Sequence, residues 1–312
     1  MNFKIPALTS SILNEITTTI NDLNINTQNI EVFKNIACKI AMIQNTKSPK
    51  ISNPYHYIIN SENSLKSYIN TKKTIEQPQN ESSLINHFNN YNLLNINNIT
   101  YENLLKELKH YETDIIKKDT YEKGINEGIK LAEQAYSKKS NCISFGTVCN
   151  NHNFSASLLT AEITNTNIKE CLFFNSAYTT KEKENILTKI LDIKTKYIPM
   201  TLADTMCFYG EFDFIIIAGA ILKAAELKMV ILIDGFIAAT ALLYAFQLNE
   251  SVIDYSLFCN QSTNKGQKVI IDYFEKQTIL NLDFETNIGI GVPMALPIIE
   301  SSINWLQNAL KA

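Results

Sequence analysis

The sequence predicts an α/β fold, a parallel sheet covered by helices on both faces, and three observations lead there. Phe214 to Ile217 and Val230 to Ile233 are continuous apolar runs, as expected of strands buried on both faces of a parallel sheet. Each run is followed by a helical segment, Ala220 to Leu227 and Ile237 to Gln247, so the unit reads strand-helix-strand-helix. With 312 residues and 45% hydrophobic content, the chain can bury one large core, or a large and a small domain sharing one. The layering is therefore Rossmann-like, in a three-layer α/β/α arrangement. It puts Asp234-Gly235 at the carboxyl end of a strand, where such sheets bind ligands.

The remaining elements follow along the chain. Ile12, Ile16, Ile20 and Leu23 recur at one-turn spacing, and Val32, Ile36, Ile40 and Ile43 repeat the pattern, so two helices joined near Asn24 to Asn29 are expected. Residues 45 to 100 are rich in Asn, Ser and Lys, with turn signals at Ser52-Asn53-Pro54 and Gln77-Pro78-Gln79-Asn80. Short strands are expected there at Tyr55 to Ile59 and Tyr91 to Ile96. Tyr101 to Tyr136 reads as helix, Cys142 to Gly146 as a short strand, Ser155 to about Ile163 as helix, and Glu170 to Phe174 as another short strand. Thr179 and Glu182 have the spacing of a capping box, which predicts a helix from Thr180 to about Lys194.

Composition narrows the partners. The net charge is -3, and no Lys/Arg cluster is interleaved with aromatics, so neither nucleic acid nor an anionic membrane is an expected partner. The six cysteines are scattered, with no C-x-x-C pair and no His at metal-ligand spacing. Reduced thiols in a cytoplasm fit this pattern, with no metal and no cofactor expected. The N-terminus lacks a long apolar segment, so no signal peptide is expected. The apolar region from Phe212 to Leu248 is interrupted by Asp213, Lys223, Glu226, Lys228 and Asp234, as in a buried core segment and not a membrane span. Only 9 glycines occur, the first at Gly124, which concentrates close backbone approach to a ligand in the later part of the chain.

The segment from Gly210 to Leu243, with D-G-F-I at its centre, resembles the nicotinate-nucleotide:dimethylbenzimidazole phosphoribosyltransferases, the CobT family. The resemblance continues through Asn260 to Gln267, similar to the family's H-x-S-x-E-x-G-H. It ends at Gly289-Ile290-Gly291 and Met294 to Glu300, similar to its G-E-G-S-G-A-A-L-A. Weaker matches reach Gly124 to Gly128 and Phe33 to Gln44. The resemblance implies transfer of the ribose phosphate of nicotinate mononucleotide to an aromatic base, dimethylbenzimidazole, giving the α-ribazole phosphate of cobalamin. It also implies a homodimer and a small helical domain from the two chain ends, here 1–45 with 298–312, beside an α/β domain at 46–297.

Carried over residue by residue, the resemblance makes Ser262 the phosphate-side serine and Lys183 the phosphate-binding lysine. The alternatives are a turn serine bonding its own backbone and a solvated lysine in a first helical turn, with Lys181 as rival. Gly146, Ser155, Asp234, Gly289 and Gly291 complete the implied substrate site. Three departures surround it. The family's G-E-x-G-x-x-N-T-T phosphate loop is altered, with Cys149 for its glutamate, Asn151 for a glycine and Phe154 for its asparagine. Its D-H-G-V strand end and K-P-x-G-S-L-G entry are missing. Ile290 stands where the catalytic glutamate belongs, and an isoleucine accepts no proton. Glu285 is the nearest substitute base, and Asp283 a weaker one; the alternative for Glu285 is a surface turn residue. Two readings follow: a phosphoribosyltransferase with weakened or altered catalysis, and a non-catalytic paralogue that binds a nucleotide or base or serves as partner subunit of an active paralogue.

Overall fold

The computed structural model describes residues 3–22, 30–61, 85–87, 89, 94–100, 116, 118–148, 152–174 and 178–311. Among these residues a six-stranded sheet runs β2-β1-β3-β4-β5-β6, every neighbouring pair parallel. The strands are β1 (Tyr55–Asn60), β2 (Asn95–Thr100), β3 (Cys142–Thr147), β4 (Val230–Asp234), β5 (Ser256–Gln261) and β6 (Thr278–Asn281). The chain moves outward from β1 to β2, returns to place β3 on the other side of β1, and then continues one way. The strand order thus reverses between β1 and β3, the crevice where open α/β sheets bind ligands.

Helices cover the sheet in three layers. They are α1 (Ser11–Asp22), α2 (Glu31–Gln44), α3 (Lys118–Ser137), α4 (His152–Thr164), the single turn α5 (Ile168–Cys171), α6 (Thr180–Lys196), α7 (Leu202–Tyr209), α8 (Phe212–Glu226), α9 (Gly235–Leu248), α10 (Lys265–Tyr273) and α11 (Gly291–Ala309). The capping box at α6 forms in full. The Thr179 N–H donates to Glu182 Oε2 at 2.8 Å, and the Glu182 N–H to Thr179 Oγ1 at 3.3 Å. Ile186, Ile190 and Ile193 then form its buried stripe.

Several expected elements are corrected. Phe214 to Ile217 is not a strand but part of α8, which begins at Phe212 and is buried on every side through Leu222. A helix enclosed all round loses its polar face, and with it the periodicity that separates it from a buried strand. It crosses α3 closely enough that a Cβ on Gly219 would lie 2.4 Å from Ile125 O. Glu170 to Phe174 is not a strand either. The Asn167 side chain accepts from the Lys169 N–H at 3.0 Å and starts the turn α5. The second strand lies at Asn95–Thr100, later than expected, and α4 starts at His152, so Ser155 sits inside the helix rather than at its start. Strands β5 and β6 had no counterpart among the expected elements. Residues 24–29, where the first two helices were expected to join, and 101–115, expected to be helical, lie outside the described residues.

The termini meet around a second, smaller core. Ile16 and Ile20 of α1, Ala37, Cys38 and Ala41 of α2, and Leu306 of α11 form it, while Ile36, Ile40 and Ile43 on α2 join the main core. Val32, expected in the apolar stripe, is 51% exposed. Helix α11 also packs on β4, β5 and β6, so one helix belongs to both cores. Among the described residues no helix is long and apolar enough to cross a membrane.

Candidate functional site

The turn Asp283 to Ile290 carries no regular structure and lies across the carboxyl ends of β3 and β4, with His56 near the start of β1 beneath it. The Thr147 N–H at the end of β3 donates to Asn287 O at 2.8 Å. The Asn287 side chain accepts from the Phe236 N–H in the first turn of α9 at 3.2 Å and donates to Asn153 Oδ1 in the first turn of α4 at 3.0 Å. One side chain therefore ties the turn to two helix N-termini.

His56, in β1, holds the turn from below. Its Nε2 lies 2.8 Å from Ile288 O and its Nδ1 2.8 Å from Ser144 Oγ. A carbonyl only accepts, so Nε2 carries the proton and Nδ1 accepts from the Ser144 hydroxyl. The ring is fully buried, and burial pushes its pKa down to about 4, which keeps it neutral. No periodic or motif signal marks His56 in the sequence; its partner Ile288 is 232 positions away.

Asp234 closes the other side. The pairing register shifts at the end of β4, so that Asp234 stands opposite Asn260 of β5. Its Oδ2 accepts from the Gly291 N–H at the start of α11 at 2.8 Å, and its Oδ1 has no hydrogen-bond partner among the described residues. Asp234 is 3% exposed, and burial pushes its carboxyl pKa up to about 7, opposed by the nearby Gly291 and Gly235 N–H groups.

Four of the expected site residues, Gly146, Asp234, Gly289 and Gly291, meet here. The space each glycine leaves is filled by the protein itself. A Cβ on Gly146 would lie 2.2 Å from Ile288 O, on Gly289 2.4 Å from His56 Cε1, and on Gly291 2.4 Å from Asp234 Oδ1. Gly289 also has φ +85, a left-handed backbone that disfavours a side chain.

The other expected residues are placed apart or turned inward. Ser262 is buried, its hydroxyl donating to Gln267 Oε1 at 2.5 Å and accepting from the Asn264 N–H at 3.2 Å, which is the turn-serine arrangement. Ser155 is fully buried in α4 and donates to Glu211 Oε1. Glu211 precedes α8 and is itself fully buried, a carboxylate that no sequence motif singled out. Nearby, Asp213 in the first turn of α8 meets His152 in the first turn of α4, whose Nδ1 lies 2.9 Å from Asp213 Oδ2. Lys183 is half-buried in the first turns of α6, and no hydrogen bond or ion pair joins it to the 283–291 turn among the described residues. Glu285 is exposed, with Thr263 Oγ1 donating to it at a long 3.5 Å. Ile290 is 3% exposed and Phe154 4%, both inside the main core, where Phe154 packs against Phe174 and Tyr178. Cys149 and Asn151 lie outside the described residues.

Residues 109–311 match the family model DBI_PRT, described as phosphoribosyltransferase. The chain is 27% identical over 187 residues to the nicotinate-nucleotide–dimethylbenzimidazole phosphoribosyltransferase of Phocaeicola vulgatus, covering 59% of this chain and 54% of that protein. It is 28% identical over 189 residues to the enzyme of the same name from Shewanella baltica strain OS155, covering 60% and 52%. The matched segment thus spans about half the length of these curated relatives. Among solved structures, CobT from Thermus thermophilus superposes with a TM-score of 0.82 at 13% identity, covering 95% of this chain and 96% of that one, a likeness of fold.

Proposed function

The chain belongs to the phosphoribosyltransferase family whose model it matches, and from that premise we propose that it takes the ligands named for its relatives and transfers phosphoribose with a weakened or altered proton-accepting step. The ligands are nicotinate mononucleotide and an aromatic base such as dimethylbenzimidazole, in the crevice at the carboxyl ends of β1, β3, β4 and β5. In the reaction a ring nitrogen of the base attacks the anomeric carbon. The bond from that carbon to nicotinate breaks, its electron pair returns to the nicotinate nitrogen, and the N–H proton on the base's other ring nitrogen must go to an acceptor.

One observation carries the weakening: Ile290, at the position of the family's glutamate, is buried in the apolar core. Losing a positioned base costs about 10² to 10⁴-fold in rate. Glu285, exposed on the same turn, is the substitute acceptor. The same burial of Ile290 favours a second reading, a non-catalytic nucleotide- or base-binding protein, alone or as partner subunit of an active paralogue. The second core at the termini supports a small helical domain of residues 1–45 with 298–312 beside an α/β domain at 46–297, and we take a dimer as the assembly.

The test is single-turnover release of nicotinate from nicotinate mononucleotide in the presence of dimethylbenzimidazole. Slow release is expected, falling a further tenfold or more, about 1.4 kcal/mol of barrier, in Glu285→Gln. Release that Glu285→Gln leaves unchanged removes Glu285 as the base. No release, with both ligands bound, leaves the non-catalytic reading; binding of neither overturns both.

A further inference from the structure

The part of the 283–291 turn that carries Glu285 is fixed at both ends by asparagine side chains. Before it, the Leu282 N–H donates to Oδ1 of the buried Asn260 in β5 at 2.8 Å. After it comes Asn287, whose carbonyl accepts from the Thr147 N–H at 2.8 Å. Its side-chain oxygen accepts from the Phe236 N–H at 3.2 Å, and its amide nitrogen donates to Asn153 Oδ1 at 3.0 Å. A backbone N–H only donates, which fixes the end of the Asn287 amide that faces Phe236 and hence the end that faces Asn153. A Cβ on Gly235 would lie 3.3 Å from Asn287 Oδ1 and 3.4 Å from its Cα, so the side chain lies directly against the start of α9.

The anchor on the α4 side is itself held. His152 Nδ1 lies 2.9 Å from Asp213 Oδ2, and the Ser155 hydroxyl donates to Glu211, so residues 152 and 155, which bracket Asn153, join α4 to the start of α8. All four of these side chains are buried. Asn153 therefore presents its oxygen from a helix turn whose movement would break two buried hydrogen bonds. Glu285 itself is exposed, and the bond that Thr263 Oγ1 donates to it is a long 3.5 Å. The direction of its carboxylate thus depends on where the neighbouring backbone is pinned, and Asn287 is the nearer of the two fixed ends.

Resting on the reading of Glu285 as the substitute proton acceptor and deepening it, we propose that Asn287 is a positioning residue for the transfer, holding the turn so that the Glu285 carboxylate stands where the base loses its proton. In this role Asn287 touches neither ligand and acts only through the backbone it pins. Geometry of this kind matters to rate, because a misplacement of about 1 Å costs up to about 10²-fold.

The test is single-turnover nicotinate release by Asn287→Leu, Glu285→Gln and the double variant, with the mononucleotide affinity of each measured by calorimetric titration. Leucine keeps the branched shape of asparagine and neither donates nor accepts. Asn287→Leu is expected to slow release about tenfold, with affinity changed less than about twofold, and to add nothing in the Glu285→Gln background. Asn287→Asp is expected to recover most of that loss, because its carboxylate accepts from the Phe236 N–H at a helix N-terminus and the Asn153 amide turns to donate to it. Equal slowing by Asn287→Leu with and without the Glu285 carboxylate overturns the role while leaving the family reading intact, as does lost affinity at an unchanged rate. Release that Glu285→Gln leaves unchanged overturns it too. Absence of release from the unaltered protein overturns the catalytic reading, and the role with it. Should Asn287→Leu fail to fold, Asn153→Ala, which cuts one of the two side-chain bonds, enters the same cycle. Its expected loss of about threefold disappears in the Glu285→Gln background, and a loss that persists there overturns the role.

Discussion

Replacing Gly289 by alanine is expected to destabilise the protein by about 3 to 5 kcal/mol, the range of a large single-residue effect. Two costs combine. The left-handed backbone at φ +85 disfavours a side chain by about 1–2 kcal/mol. The added Cβ would also lie 2.4 Å from His56 Cε1, on a ring that cannot step aside without losing Ile288 O and Ser144 Oγ. Leaving such a buried polar group unpaired costs about 1–3 kcal/mol. Urea denaturation of Gly289→Ala, His56→Ala and the double variant isolates the steric part. In the His56→Ala background the cost of Gly289→Ala should fall to the backbone contribution alone. Strict additivity of the two substitutions would mean that the ring is not what the glycine avoids.

The second large effect is a pH dependence hidden by opposing groups. Asp234 has its pKa raised from 3.8 to about 7, so the native state holds a proton that the unfolded chain releases. Its contribution is fully present below 3.8 and is lost as pH rises through about 7. His56 has its pKa lowered from 6.5 to about 4, so its contribution is fully present above 6.5 and is lost as pH falls through about 4. Between these limits the two slopes oppose, and the unaltered protein should show little pH dependence from this pair. Asp234→Asn removes the falling limb and retains an oxygen for the Gly291 N–H. Its stability should therefore rise by a few kcal/mol across the acid range and level off near neutrality, at about 1.4 kcal/mol for each pH interval fully spanned. Melting curves from acid to mildly alkaline pH check this. Parallel profiles for the two proteins would sink the assignment.

Much of the scaffold was legible because it rests on local signals. The capping box at Thr179, the apolar run of β4, the helix after it and the two N-terminal helices all announce themselves within a turn or two of chain. Where the reading failed, tertiary burial had erased the signal. Helix α8 is enclosed on all sides, so its first residues look like a buried strand, and Asn95–Thr100 pairs as a strand despite three asparagines. The candidate site was legible by halves. Asp234, Gly146, Gly289 and Gly291 do gather around one turn, whereas Ser262 and Ser155 were given outward roles that their hydrogen bonds to Gln267 and Glu211 turn inward. Nothing in the sequence pairs Ser155 with Glu211, 56 positions apart.

Residue type and short-range spacing were enough for the parallel α/β layering, for an aspartate at the end of a central strand and for the isoleucine at position 290. None of these depends on what lies far away in the chain. Which donors remain for a ligand does depend on it, because their partners are brought together from distant strands and helices only when the chain folds. The glycines of the 283–291 turn, expected to make room for substrate, make room for His56 and Asp234, and Gly146 beneath them makes room for Ile288.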